Sequence, residues 1–190
     1  MGLSVYLYLA LLAAVAVLRF FELGISRRNQ QKMLARGAVR VPEPNFKWIV
    51  AVHTGVLLGA ALEVILLRRP FFPLLAGLMF ALFLVSNFMR FWVVRTLAEL
   101  WSVQVMDSTR IRVVTTGPFR FVRHPNYTGV MLEMISLPLI HTAWITAIAA
   151  SLAYSLALSR RIRAEESVLM ANPEYRAAMG RKPRFVPGLF

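Results

Sequence analysis

Five apolar runs, at about Leu3 to Phe21, Lys47 to Leu67, Phe71 to Phe91, Tyr127 to Ile140 and Thr142 to Ser159, decide what this chain can fold into. A helix needs about 20 apolar residues to cross a hydrocarbon core about 30 Å thick, and the first three runs match that length. A soluble domain of 190 residues could not hide the surface of a chain that is 58% hydrophobic, with mean hydropathy +0.60. The expected fold is an all-α, multi-pass integral membrane protein of about five transmembrane helices. The last two form a helical hairpin turning near Pro138 and His141, and a cytosolic C-terminal helix and tail follow. The fourth run is short, about 21 Å as a helix, so it either tilts little, thins the bilayer or forms a partial hairpin with the fifth. No basic stretch precedes the first run, which reads as a span rather than a cleavable leader.

Charge orients these helices. Arg19 to Lys47 holds seven Lys and Arg, the second turn only Arg68 and Arg69, Arg90 to Arg123 six, the hairpin tip none, and the tail after Ser159 seven. With five spans, 20 cations share one side and two the other. The positive-inside rule then makes the rich side cytoplasmic, with the N-terminus outside and the C-terminus inside, as in a bacterial inner membrane. The net charge of +13 therefore faces lipid headgroups, and nucleic acid is not an expected partner. The absence of cysteine excludes disulfides, thiolate catalysis and thiolate metal sites.

Three polar stretches are candidates for chemistry. Gly117 to Gly129 reads GPFRFVRHPNYTG, with Arg120, Arg123 and His124 just ahead of the fourth run. Pro125 and Asn126 suit a helix cap or first turn, whose amides favour an anionic group. Its plainer reading is a basic headgroup anchor. Arg160 to Tyr175 reads RRIRAEESVLMANPEY, with Arg161 and Glu165 one helical turn apart; its plainer reading is a solvated helix with weak ion pairs. The tail from Gly180 to Phe190 carries Arg181, Lys182 and Arg184 and could simply tether the chain to the membrane. Trp92 to Val105 suits a helix end or an interfacial helix, and Thr109 to Thr116 a short strand or extended loop.

Within the apolar runs lie His53, Glu63 and Glu133. An ionised acid at mid-bilayer costs about 2.5–3.5 kcal/mol, so Glu133 needs a partner or a polar cavity and is a candidate for the substrate pocket. Glu63, near the end of its run, reads as structural, and His53 as a helix–helix hydrogen bond. Arg19 and Glu22 read as an ion pair at a helix end. No G-x-G-x-x-G after a strand, P-loop or H-E-x-x-H occurs, so a nucleotide-like cofactor would need a site of another kind.

GPFRFVRHPNYTG, followed by RIRAEESVL and NPEYRAAMGRKPRF, resembles the isoprenylcysteine carboxyl methyltransferase family in order and spacing over Thr115 to Phe185. The pair of motifs is more specific than RHPNYTG alone, which membrane sterol and steroid reductases share. The resemblance implies one membrane-embedded methyltransferase domain over 1–190, with N-terminal helices and connecting segments in 1–114 and a catalytic, cofactor-binding core in 115–190. It implies S-adenosylmethionine as cofactor, taken from the cytosol, and a lipophilic substrate taken from the bilayer. By position it implies that His124 and Tyr127 contact the cofactor, with Glu165 a further candidate for binding it, and that Pro125 and Gly129 shape the loop. Arg123, Glu166 and Arg181 fall where the family places residues for catalysis or substrate binding; no metal is implied. Arg19-Phe-Phe-Glu22-Leu23, Ser26-Arg-Arg-Asn29 and Gly37-Ala38 further resemble a bacterial branch that O-methylates long-chain alkylpyrones and alkylresorcinols.

Such methyl transfer needs positioning and charge management more than covalent chemistry. A carboxylate or acidic enol needs only a cation, such as Arg123 or Arg181, to orient it. A phenol of pKa about 10 gains from a base, for which Glu166 and His124 are candidates. Two alternatives stay open at this point: an NADPH-dependent membrane reductase, and a non-enzymatic membrane anchor.

Overall fold

A computed structural model of the chain describes residues 2–43 and 46–186. It is mainly helical: α1 (Leu3–Ala35), α2 (Phe46–Leu66), α3 (Pro73–Leu97), α4 (Pro125–Leu139), α5 (Trp144–Leu169) and α6 (Pro173–Met179). A 3-10 turn, Ala98–Leu100, prolongs α3, and another, Gly117–Arg120, precedes α4. Two short strands, β1 (Val39–Arg40) and β2 (Met106–Asp107), pair antiparallel with Val39 opposite Asp107.

Among the described residues, three helices are long and apolar enough to cross a membrane: α1, α2, and α3 with its 3-10 extension to Leu100. At most 28% of their most apolar windows is buried against protein, so most of that surface needs lipid as its solvent. The chain is an integral membrane protein. Helix α4 lies between α3 and α5, and α2 packs along α5. Ile49, Val56, Tyr127, Val130, Met134, Tyr154 and Leu158 join α2, α4 and α5 in one core. Tyr8, Leu12, Val64, Phe83 and Leu137 join α1 to α2, α3 and α4 in another. Gly129 lets α4 approach α3 closely, since a Cβ there would sit 3.2 Å from the Ser86 carbonyl oxygen.

Several expected boundaries move, each because polar residues find partners inside the fold. The first helix does not stop near Phe21 but runs 33 residues, about 50 Å at 1.5 Å per residue. Its extension buries Ser26, Asn29 and Gln30. Asn29 donates to the carbonyls of Ala98 and Trp101, both at 3.0 Å, and the Ser26 hydroxyl accepts from the Val103 amide at 2.9 Å. The fifth helix likewise continues ten residues past Ser159, to Leu169. Thr109 to Thr116 forms no strand; Asp107 accepts from the amide and hydroxyl of Thr109 and turns the chain there. Pro125 and Asn126 lie in the first turn of α4, as expected, and His124 holds the N-cap position without a side-chain capping bond.

The hairpin turn near Pro138 and His141 forms as expected, with α4 ending at Leu139 and α5 starting at Trp144. Glu63 of α2 caps the start of α5 from outside that helix. Its carboxylate accepts from the amides of Ile145 (3.1 Å) and Thr146 (2.7 Å), from the Thr146 hydroxyl (2.8 Å) and from Arg69. Arg19 and Glu22 do not pair alone. With Arg90 and Glu133 they form a charge-balanced group joining α1, α3 and α4: Arg19 lies 3.3 Å from Glu133, and Arg90 lies 2.8 Å from Glu22.

Candidate active site

The start of α4 and the end of α5 meet under the C-terminal tail. Ahead of α4, Gly117 adopts φ +59, and a Cβ there would lie 2.4 Å from the Thr96 hydroxyl, so this turn needs glycine. Pro125 then occupies the first helical turn. The tail returns over this segment. The Arg123 and His124 amides donate to the carbonyls of Pro183 and Arg184, each at 2.9 Å, and the Thr128 hydroxyl donates to Phe185 at 3.2 Å.

Two charged groups flank the His124–Tyr127 stack, whose ring centroids are 5.2 Å apart. In the first, Glu166 gathers three partners: the His124 imidazole Nε2 at 3.0 Å, Arg123 at 3.1 Å and Arg184 at 2.6 Å. Burial opposes ionisation of this carboxyl. The hydrogen bonds from His124 and Arg184, with the charge of Arg123, outweigh it and hold the group down at about 2.

In the second group, the Tyr127 hydroxyl accepts from Arg161 Nε at 2.8 Å and donates to Glu165. Arg161 also donates to the Val103 carbonyl at 2.5 Å and lies 3.1 Å from Glu43, whose other oxygen accepts from the Val105 amide. Burial pushes the Glu43 carboxyl up despite the neighbouring Arg161.

Between the groups lies a cavity of about 150 Å³, lined by Trp101, Arg123, His124, Asn126, Tyr127 and Glu165 among others. Two atoms of these side chains, Asn126 Oδ1 and Arg123 Nε, are buried without a hydrogen-bond partner. Buried polar atoms without partners are costly, so this pair marks where a ligand with both a donor and an acceptor gains most. S-adenosylmethionine fits that set. Its ammonium and hydroxyl donors suit Asn126 Oδ1, its carboxylate suits Arg123 Nε, its positive charge suits Glu165, and its purine suits Trp101 and Tyr127.

The expected site residues divide in four. Arg123, His124, Pro125, Tyr127, Glu165 and Glu166 come together. Gly129 lies below them inside α4, serving the contact with α3 rather than a loop. Glu133 lies deeper, held by Arg19 and Arg90 instead of facing the cavity. Arg181 is exposed, and the tail arginine that reaches Glu166 is Arg184. Residues that sequence reasoning did not single out for the site are Arg161, Glu43, Asn126 and Arg184. The helical spacing of Arg161 and Glu165 was a signal for the first; none marked Glu43. Among the described residues, no three His, Asp or Glu side chains converge on a metal position.

Residues 78–171 match the model of the Isoprenylcysteine carboxyl methyltransferase (ICMT) family. The chain is 30% identical over 159 residues to an uncharacterized protein, YpbQ, of Bacillus subtilis, covering 84% of this chain and 94% of that one. It is also 30% identical over 159 residues to an uncharacterized protein of Haemophilus influenzae, covering 83% of this chain and 91% of the other. A shorter match, 30% over 96 residues, is to the nickel-cobalt-cadmium resistance protein NccN of Alcaligenes xylosoxydans xylosoxydans, covering 50% of this chain and 45% of that protein.

Proposed function

The chain belongs to the isoprenylcysteine carboxyl methyltransferase family, a family of membrane methyltransferases, and from that premise we propose that it is an S-adenosylmethionine-dependent O-methyltransferase acting on a lipophilic acceptor at the cytosolic membrane interface. The observation that carries this reading is that Arg123 and Asn126, each with a partnerless buried polar atom, line one cavity with Tyr127 and Glu165. Of the cavity's arginines, Arg123 pairs with Glu166 and Arg161 with Glu43, while Arg112 lies outside the ion pairs of the described residues and is open to an anionic ligand group.

In this reading S-adenosylmethionine, when bound, supplies a methyl group on a positively charged sulfur that becomes neutral on transfer. The chain's own residues do the rest. Tyr127 and Glu165 present negative character to that charge, Arg123 orients an anionic group, and the tail keeps water from His124. Glu166, held at about 2, is a weak base and takes a phenolic proton poorly. The acceptors favoured are therefore those whose oxygen is already ionised at neutral pH: a long-chain alkylpyrone enol or a prenylcysteine-like carboxylate, ahead of an alkylresorcinol phenol. The proposal includes five crossing segments in a bacterial inner membrane, with α4 and α5 as a hairpin, the N-terminus outside and the site cytoplasmic.

Titration of the purified protein with S-adenosylhomocysteine and with NADPH by calorimetry tests the reading. Binding of the first alone is expected; tight binding of NADPH with no response to S-adenosylhomocysteine refutes it. Mass spectrometry of lipids from cells with and without the protein should then find an acceptor heavier by one CH₂.

A further inference from the structure

Glu43 lies on the connection between α1 and α2, outside the family-matched residues 78–171. Yet its side chain is 6% exposed and faces into the site. One oxygen accepts from the Val105 amide, in the segment that supplies Val105 and Met106 to the cavity wall. The other lies 3.1 Å from Arg161. The same connection is fastened to that wall by the Val41 amide donating to the Val105 carbonyl at 3.1 Å and by the β1–β2 pairing.

Arg161 is itself 9% exposed in its side chain, so its charge needs a counter-charge close by. Its partners are the Tyr127 hydroxyl, the Val103 carbonyl and the Glu43 carboxylate. Only the last is charged. The next carboxylate along is Glu165, already bound by the Tyr127 hydroxyl. Without the charge of Glu43, the guanidinium gains most by turning to Glu165, which breaks the Tyr127–Glu165 hydrogen bond and neutralises the carboxylate at the cavity. Glu43, Arg161, Tyr127 and Glu165 thus form one ordered chain in which the first member sets the last.

We propose that Glu43 is a positioning residue that acts through Arg161 to hold Tyr127 and Glu165 in their ligand-binding arrangement, so that the N-terminal half of the chain completes the cofactor site. The inference rests on the methyltransferase reading, and the wild-type protein separates the two: if it does not bind S-adenosylhomocysteine, that reading fails before Glu43 is examined.

The test is a double-mutant cycle on the full-length protein in detergent, reading S-adenosylhomocysteine affinity by calorimetry. Glu43→Gln keeps an acceptor for the Val105 amide and removes the charge, and should weaken binding about tenfold to 100-fold, the range typical for loss of a supporting partner around a site. Arg161→Gln should weaken it comparably, and the double variant no further than the worse single one. In turnover assays the KM for the methyl donor should rise, while that for the acceptor stays put. Glu43→Asp keeps the charge and should recover most of the affinity; if Glu43→Gln does not purify folded, Glu43→Asp should still show a measurable loss, about threefold. Wild-type affinity in both Glu43 variants, or fully additive losses in the cycle, overturns the proposal.

Discussion

Replacing Glu166 with glutamine keeps its shape and removes its charge, which makes it the most informative single change at the site. Glu166 is 11% exposed and Arg123 15%, so their 3.1 Å pair is shielded from water; Arg184, 45% exposed, is partly screened. An amide keeps one acceptor oxygen and turns a donating NH₂ toward either His124 and Arg123 or Arg184. Losing one partner of a buried pair costs about 3–5 kcal/mol, and an exposed pair contributes about 0.2–1 kcal/mol. With Arg184 discounted, the expected loss is about 3 kcal/mol, or about 150-fold at 1.4 kcal/mol per factor of ten. We expect kcat/KM for methyl transfer to fall by about that factor, with any shortfall appearing as a lower thermal midpoint in detergent. Arg184→Ala should cost no more than about 1 kcal/mol, roughly fivefold. If Glu166→Gln retains kcat/KM within a factor of about three and an unchanged midpoint, the charge-clamp account is wrong. If Arg184→Ala is as damaging as Glu166→Gln, the tail contact and not the orientation of His124 is the important one.

The same carboxyl fixes a pH dependence. Its folded value, about 2, lies below its ordinary 4.5, so its contribution is complete above about pH 4.5 and is lost as pH falls toward 2. Thermal midpoints from pH 7 down to 3 should drop below pH 4.5 in the wild type and drop less in Glu166→Gln; parallel curves would deny Glu166 the role. Glu63→Ala strips two α5 amides of their acceptor and leaves Arg69 unpaired, and should destabilise by about 3–5 kcal/mol in detergent unfolding. Gly129→Ala should cost about 1–3 kcal/mol by pressing a methyl on the Ser86 carbonyl, whereas Gly55→Ala, with no atom within 4 Å of the new Cβ, should be neutral or gain up to about 1 kcal/mol. Equal midpoints for the two glycine variants would deny the close α3–α4 approach.

The sequence made most of the candidate site legible, for a physical reason. Arg123 to Tyr127 and Arg161 to Glu166 each lie within one helix start or one helical stretch, where spacing decides which side chains share a face. Long-range partner choice leaves no such trace. Nothing local to Glu43 marks it as the counter-ion of Arg161, 118 positions away in the chain. Arg181, Lys182 and Arg184 are equivalent by composition, and only the docking of 183–185 on 123–128 decides that Arg184 faces Glu166. The overrun of α1 has the same origin: Arg19 and Glu22 resemble a helix end until Arg90 and Glu133 of other helices are brought beside them. Glu133 needed a partner, as the cost of burying a charge requires, but two arginines meet that need without a substrate.

The docked tail has a consequence for how this protein is made. Arg184 and the carbonyls that hold Arg123 and His124 follow α6 in the chain, while Glu43 precedes α2. The membrane helices between them must be in place before the two segments can meet, so a partly synthesised chain has the RHPNY segment but an incomplete site around it. During biogenesis this delays closure of the cavity until the membrane portion is in place.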